Sequence, residues 1–306
     1  MEFRQVRHFL GVVDKGSFSG AALALGLTQQ TLSKSIANLE DQLGVRLFDR
    51  DTRNCDLTSH GELLLQYAKN IDAEERQFQR HLDDVIGVKS GHLRIGAGPT
   101  PGVHIIPEAV TRLKEKRKNL RVTVIEGMAV NLLPRLLRGE LDIVVGVIPN
   151  PIEDTLVHTE FLYDENLCLL ASAQHPLGSK KKVTLKETLD FPWLVGWTAG
   201  GIDQAVSDSF EEYGLSPPLP KIETDSFTCV RSMLKTTNYL AILPERLFEM
   251  EVQSGVLKAL PLKAKLQRWK RPMAICYRRN STRSPAAMAC IEEIERVTKD
   301  LVSDDE

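Results

Sequence analysis

Residues 17–50 read SFSGAALALGLTQQTLSKSIANLEDQLGVRLFDR, and this stretch decides what the rest of the chain is for. It predicts two short helices joined by a tight turn, followed by an extended arm. In the second helix Leu32, Ile36, Leu39 and Leu43 recur at spacings of four, three and four, the period of a helix lying on a core. The opposite face carries Gln29, Gln30, Thr31, Ser33, Lys34 and Asn38, short polar groups suited to base edges or phosphates. Upstream, Phe3, Val6, Phe9, Leu10 and Val13 predict a first amphipathic helix that stops at Lys15-Gly16. Ser19 offers an N-cap for the next helix, Gly26 stops it, and Thr28 caps the third through the amide of Thr31. Periodicity alone fits an ordinary helical hairpin as well as a helix-turn-helix.

Composition narrows the field without choosing. A chain of 306 residues suggests about two domains, and 42% hydrophobic residues are enough for sizeable cores. No apolar run reaches the ~18 residues of a membrane span, and MEFRQVRHFL lacks a signal-peptide core, so a cytoplasmic location is expected. The five cysteines have no zinc or CxxC spacing, and the seven histidines form no HExxH pair. Residues 1–90 hold 11 Lys/Arg against 13 Asp/Glu, so net charge does not advertise a nucleic-acid partner. GxSxG and Walker motifs are missing, and Ser232-x-x-Lys235 lacks its partner motifs; no enzyme is expected.

Residues 59–88 predict one long helix of roughly 42 Å, opened by a Ser59/Glu62 capping box. Leu64, Ala68, Ile71, Glu75, Phe78, Leu82 and Val85 alternate four and three apart, a heptad seam with one charged member. The seam suits pairing with a second copy; packing on the C-terminal domain is the alternative. From His92 strands alternate with helices: strands at 92–97, 121–126, 141–147, 167–172, 193–197, 221–225, 239–243 and 272–277. Helices are expected at 102–118, 130–138, 202–213, 227–236 and 284–301. The order predicts βαβ units around a mostly parallel sheet. Ligands of such sheets bind at the carboxyl ends of strands. Thr100, Pro101 and Gly102, with Met128, Val147, Trp197, Thr198, Asp225 and Ser226, are the candidates for gripping one. In Gly96–Gly102 the third glycine is late, and Pro99 and Pro101 remove two donors, so a dinucleotide is not expected.

Ser-Gly-Ala-Ala at 19–22, Leu25, Thr28-Gln29, Leu32-Ser33, Ile36, Leu39-Glu40, Leu43-Gly44 and Leu47-Phe48-Asp49-Arg50 together resemble the N-terminal signature of LysR-type transcriptional regulators. Thr58 and Gly61 fit the same pattern; Gln30 and Lys34 depart from it, on the DNA face. The resemblance implies an all-α winged helix-turn-helix over residues 1–58 and a dimerising linker helix over 59–89. It further implies a two-lobed α/β domain over 90–306, similar to periplasmic binding proteins. One lobe would be about 91–162 with 267–306, the other about 163–266. By the same likeness Gln29, Gln30 and Thr31 enter the major groove and Ser33 and Lys34 contact phosphate or a neighbouring base. Arg46, Arg50 and Arg53 follow the backbone from the wing, Arg50 having an ion pair with its flanking aspartates as the alternative. The implied partners are double-stranded DNA with an interrupted palindrome, a second copy of the chain (with dimers pairing into tetramers), a small-molecule effector and RNA polymerase. Neither a metal nor a cofactor is expected, nor a membrane. The rival reading is a ligand-binding protein with a vestigial helical head.

Overall fold

The computed structural model describes residues 1–49, 55–86, 91–148, 156–196, 202–263, 270–279 and 281–303. The head consists of α1 (Phe3–Lys15), α2 (Phe18–Leu25), α3 (Gln29–Leu43) and a two-stranded ribbon, β1 (Phe48–Asp49) antiparallel to β2 (Asp56–Leu57). Each of the three helices ends on a glycine in the left-handed region, Gly16, Gly26 and Gly44, where a Cβ would be strained. The cap of α2 is Ser17, accepting from the Gly20 amide, and not Ser19. That start makes Phe18 the first helical residue and lets its ring meet Phe48 edge-on at 5.6 Å, with Phe9 against the other side of Phe48 at 5.3 Å. Leu32, Ile36 and Leu39 are fully buried beneath these rings, whereas Leu43 at the end of the stripe is 41% exposed.

The long helix α4 runs from Ser59 to Ile86. Its cap is Thr58 rather than Ser59: the Thr58 hydroxyl accepts from the Gly61 amide (3.1 Å) and donates to the Arg46 carbonyl (2.6 Å). A Cβ on Gly61 would stand 2.2 Å from the Leu47 carbonyl oxygen, so this signature glycine is required by the close approach of helix and ribbon. The predicted seam divides. Ala68 is fully buried in the head's own core, and Leu64 and Ile71 pack against that core. Ala68 is therefore occupied within its own chain, a correction to its reading as a dimer contact, whereas Leu64 and Ile71 stay half-exposed. Among the described side chains of α4, the exposed large apolar groups are Leu63, Tyr67, Phe78 and Leu82. At about 100° per residue they lie on one stripe.

The α/β region begins with β3 (His92–Ala97), α5 (Pro99–His104), α6 (Ile106–Lys116), β4 (Arg121–Glu126), α7 (Ala129–Leu137) and β5 (Ile143–Val147). The expected single helix over 102–118 is broken at Ile105, where Pro107 follows and cannot donate to a continuing helix. Then come β6 (Val157–Ser172), α8 (Leu185–Thr188), β7 (Trp193–Gly196), α9 (Ile202–Glu212), β8 (Pro220–Thr224) and α10 (Phe227–Thr236). The chain closes with β9 (Ala241–Pro244), α11 (Glu249–Gln253), β10 (Leu257–Ala259), β11 (Lys270–Arg278) and α12 (Pro285–Ser303).

The main sheet has the order β10-β6-β11-β5-β3-β4, with β9 also on β6. Only β4, β3 and β5 run parallel; β11 is antiparallel to β5 and β6, and β9 and β10 are antiparallel to β6. The expectation of a mostly parallel sheet is corrected by β6 and β11. β6 starts ten residues earlier than the apolar run that predicts it, because its first half pairs with β11 instead of lying in a core. These two strands cross from one lobe to the other. One lobe packs α6 and α12 on one face of the sheet, around Ile95, Ile143, Ile275 and Ile294, and α7 on the other. The second lobe centres on Trp193, Phe210 and Phe248, with the Trp193 indole N–H donating to the Thr188 carbonyl.

Candidate DNA-reading surface and effector cleft

On α3 the Gln29, Gln30, Thr31 and Lys34 side chains are exposed and Ser33 is half-buried; Gln30 and Lys34 stand opposite the buried stripe, and Gln29 is exposed because it opens the helix. Thr28 accepts from the Thr31 amide (3.1 Å), and the two threonine hydroxyls are 2.8 Å apart. The Thr31 hydroxyl is thus already engaged at the cap, while the Gln29 and Gln30 amides and the Lys34 side chain are exposed. Arg46 is exposed just ahead of β1; Arg50 and Arg53 lie outside the described residues. The ribbon is held to α3 by Glu40, whose buried carboxylate accepts from the amides of Leu47 (2.8 Å) and Phe48 (3.3 Å).

The lower part of α4 is fastened to the head by Arg7, which pairs with Asp72 (3.3 Å) and Glu75. Its upper part is fastened to the α/β region. Gln77 donates to the Thr282 carbonyl (2.6 Å) and accepts from Arg278, which also pairs with Glu74 (3.1 Å). Gly139, at φ +67°, lies against the Ala73 backbone, where a Cβ would stand 3.1 Å from the carbonyl oxygen. Head, helix and α/β region are therefore mechanically continuous within one chain.

A small cavity lies at the carboxyl ends of β3 and β5. Close packing of Gly98 on Gly146 shapes its floor; the Gly98 amide donates to the Val145 carbonyl at 2.7 Å. Of the sequence candidates, Thr100, Pro101, Met128 and Val147 line it. Gly102 stands behind them, facing Glu126. Asp225 and Ser226 do not line it: both are exposed, and the Ser226 hydroxyl caps α10 through the Cys229 amide (3.2 Å). Trp197 and Thr198, like the Val85 side chain on α4, lie outside the described residues. Sequence reasoning missed Phe227, Met273 and, above all, Arg271. Arg271 pairs with Glu165, directly across from it in the β6–β11 register, and both are buried. Only that register reveals the pair, since the two residues are far apart in sequence.

Among the described residues no group of three or more His, Cys, Asp or Glu side chains could hold a metal ion, and no helix is long and apolar enough to cross a membrane. Burial raises the thiol pKa of Cys168 to about 12, of Cys276 to about 11 and of Cys290 to about 12; Glu245 adds to the shift at Cys168. The thiolate is the reactive form. These three cysteines are expected to resist a disulfide reagent at pH 8 in the folded chain and to react in urea, as thiol counting will register.

The architecture, a helix-turn-helix head on a long helix followed by a two-lobed α/β domain around a cleft, defines a ligand-responsive DNA-binding regulator. Residues 3–62 match the model of the bacterial regulatory helix-turn-helix proteins of the lysR family, and residues 87–299 match the LysR substrate binding domain. The chain belongs to the LysR family of transcriptional regulators. It is 30% identical over 263 residues to the HTH-type transcriptional regulator PcaQ of Agrobacterium fabrum, covering 86% of this chain and 84% of that one. With the SDS degradation transcriptional activation protein of a Pseudomonas strain it shares 29% identity over 290 residues, 94% of each chain. Among solved structures, the LysR family regulator CbnR superposes with a TM-score of 0.59 at 18% identity, covering 97% of this chain and 99% of that one. A mutant of OxyR from Corynebacterium glutamicum gives 0.57 at 23% identity, covering 99% and 94%. Family membership makes the chain a DNA-binding transcriptional regulator with an effector-binding domain, not an enzyme.

Proposed function

We propose that a small molecule in the cleft between the lobes controls how this regulator engages its promoter. The observation that carries this reading is the continuity from cleft to head: β11 lines the cavity at Arg271 and holds the linker helix at Arg278, and that helix holds the head through Arg7. A ligand acts only through its different affinity for two arrangements of the chain. Closure of the lobes around it shifts the subunit arrangement, and with it the way two dimers engage and bend DNA. In this reading residues 1–58 read DNA, 59–89 connect and dimerise, and 90–306 bind effector. The protein works in the cytoplasm as a homodimer, two of which pair into a tetramer on an interrupted palindrome and contact RNA polymerase. The exposed stripe Leu63, Tyr67, Phe78 and Leu82 supports pairing of two linker helices.

Division of labour on the head is testable by binding-site selection. Gln29→Ala is expected to change the preferred base at one position of each half-site, by about 1–3 kcal/mol. Arg46→Ala is expected to weaken all sequences alike and to flatten the salt dependence by about one unit of slope. Equal loss of base preference in both variants contradicts this assignment.

A further inference from the structure

We infer that the cleft takes a small organic oxyanion with an apolar body, and that Arg271 is the residue that selects for the charge. This rests on the cleft being the effector site. Arg271 is the one charged side chain among the described residues that line the cavity. It is 9% exposed, and the pair is only partly matched: Glu165 takes an Nη2–H through Oε2, while the buried Arg271 Nε–H has no acceptor and the buried Glu165 Oε1 no donor. A buried N–H left unmatched is costly, so an oxyanion oxygen placed there gains a charge-assisted hydrogen bond that a neutral ligand gains only weakly. A second feature points the same way. Ala129, the first residue of α7, also lines the cavity, and the cap residue Met128 brings no side-chain acceptor to that first turn. A nine-residue helix thus directs the positive end of its dipole toward the same space. The rest of the wall, including Leu132, Val144, Phe227 and Met273, is apolar and suits a hydrocarbon or aromatic body.

The test uses the full chain in thermal-shift and calorimetric titrations with benzoate, octanoate and octyl sulfate, against benzyl alcohol and benzylamine. A ligand that binds the native state raises its melting temperature. Stabilisation by at least one of the anions and by neither the alcohol nor the amine is the expected result; octanoate against octyl sulfate tells a carboxylate head from a sulfate ester, and benzoate against octanoate an aromatic from an alkyl body. The paired variant Arg271→Met with Glu165→Leu replaces a buried ion pair by apolar groups, which folds are able to tolerate. It is expected to keep a cooperative melt and to bind the stabilising anion about ten- to a hundredfold more weakly. Arg271→Lys, which keeps the charge, is expected to retain part of the affinity. Equal stabilisation by benzyl alcohol, unchanged anion affinity in the paired variant, or no stabilisation by any of the three anions overturns the inference. Anion binding that persists while the ligand leaves the DNA complex unchanged supports Arg271 as the anchor and counts against the regulatory reading alone.

Discussion

Glu165→Leu is expected to destabilise the α/β domain by about 3–5 kcal/mol, measured as a shift of its urea midpoint at unchanged slope. The Glu165 side chain is fully buried and that of Arg271 is 10% exposed, so the substitution leaves a guanidinium in a low-dielectric site without its counter-charge. Coulomb attraction holds the pair together only while both members are present; one member alone retains the full desolvation cost. Arg271→Met added to Glu165→Leu is therefore expected to recover most of the loss. The pair joins β6 to β11, the two strands that pass between the lobes, so the single substitution also weakens the crossing on which lobe movement depends. A midpoint for Glu165→Leu indistinguishable from that of the parent contradicts the assignment.

Glu40→Ala is expected to cost about 2–4 kcal/mol in the head and to weaken DNA binding. The carboxylate accepts from two amides, those of Leu47 and Phe48, in a buried turn, and alanine leaves both without a partner. Phe48 anchors the ribbon by its rings' contacts with Phe9 and Phe18, so a loosened turn shifts the ribbon that carries Arg46 relative to α3. Glu40→Gln keeps one acceptor oxygen and is expected to restore most of the stability. Hydrogen exchange at Leu47 and Phe48 reads the effect directly: faster exchange in Glu40→Ala, near-parent exchange in Glu40→Gln. Equal exchange in all three shows that the carboxylate is not the staple.

Local order was largely legible in the chain. The glycines at 16 and 26 stop two helices where sequence reading places them, and α10 spans the residues predicted for it. Two serines near the start of α2 offer the same oxygen; the choice of Ser17 depends on where Phe18 must stand to reach Phe48, a tertiary constraint. The heptad spacing of α4 is real but does not name a partner, and Ala68 finds one in its own head. The first half of β6, Val157 to Asn166, is rich in polar and charged residues, and its apolar run is only Phe161 to Tyr163. It becomes a strand because β11 returns beside it, and the same register creates the Arg271–Glu165 pair at the cleft. Asp225 and Ser226 also lie at a strand's carboxyl end, but they do not line the cavity, and the Ser226 hydroxyl caps the following helix. Strand ends indicate where a ligand binds, while the side chains that face it depend on how the lobes meet.

The central claim is that a few polar groups on an otherwise neutral head read DNA under control of the cleft. Its most direct test is equilibrium binding of the full chain to its own upstream duplex and to a scrambled duplex of equal length, across a salt series. The expected result is at least about a thousandfold preference for the upstream duplex at physiological salt, reduced about five- to 150-fold in Gln29→Ala and altered by a ligand that stabilises the α/β domain. Equal affinity for both duplexes at every salt concentration would contradict the account.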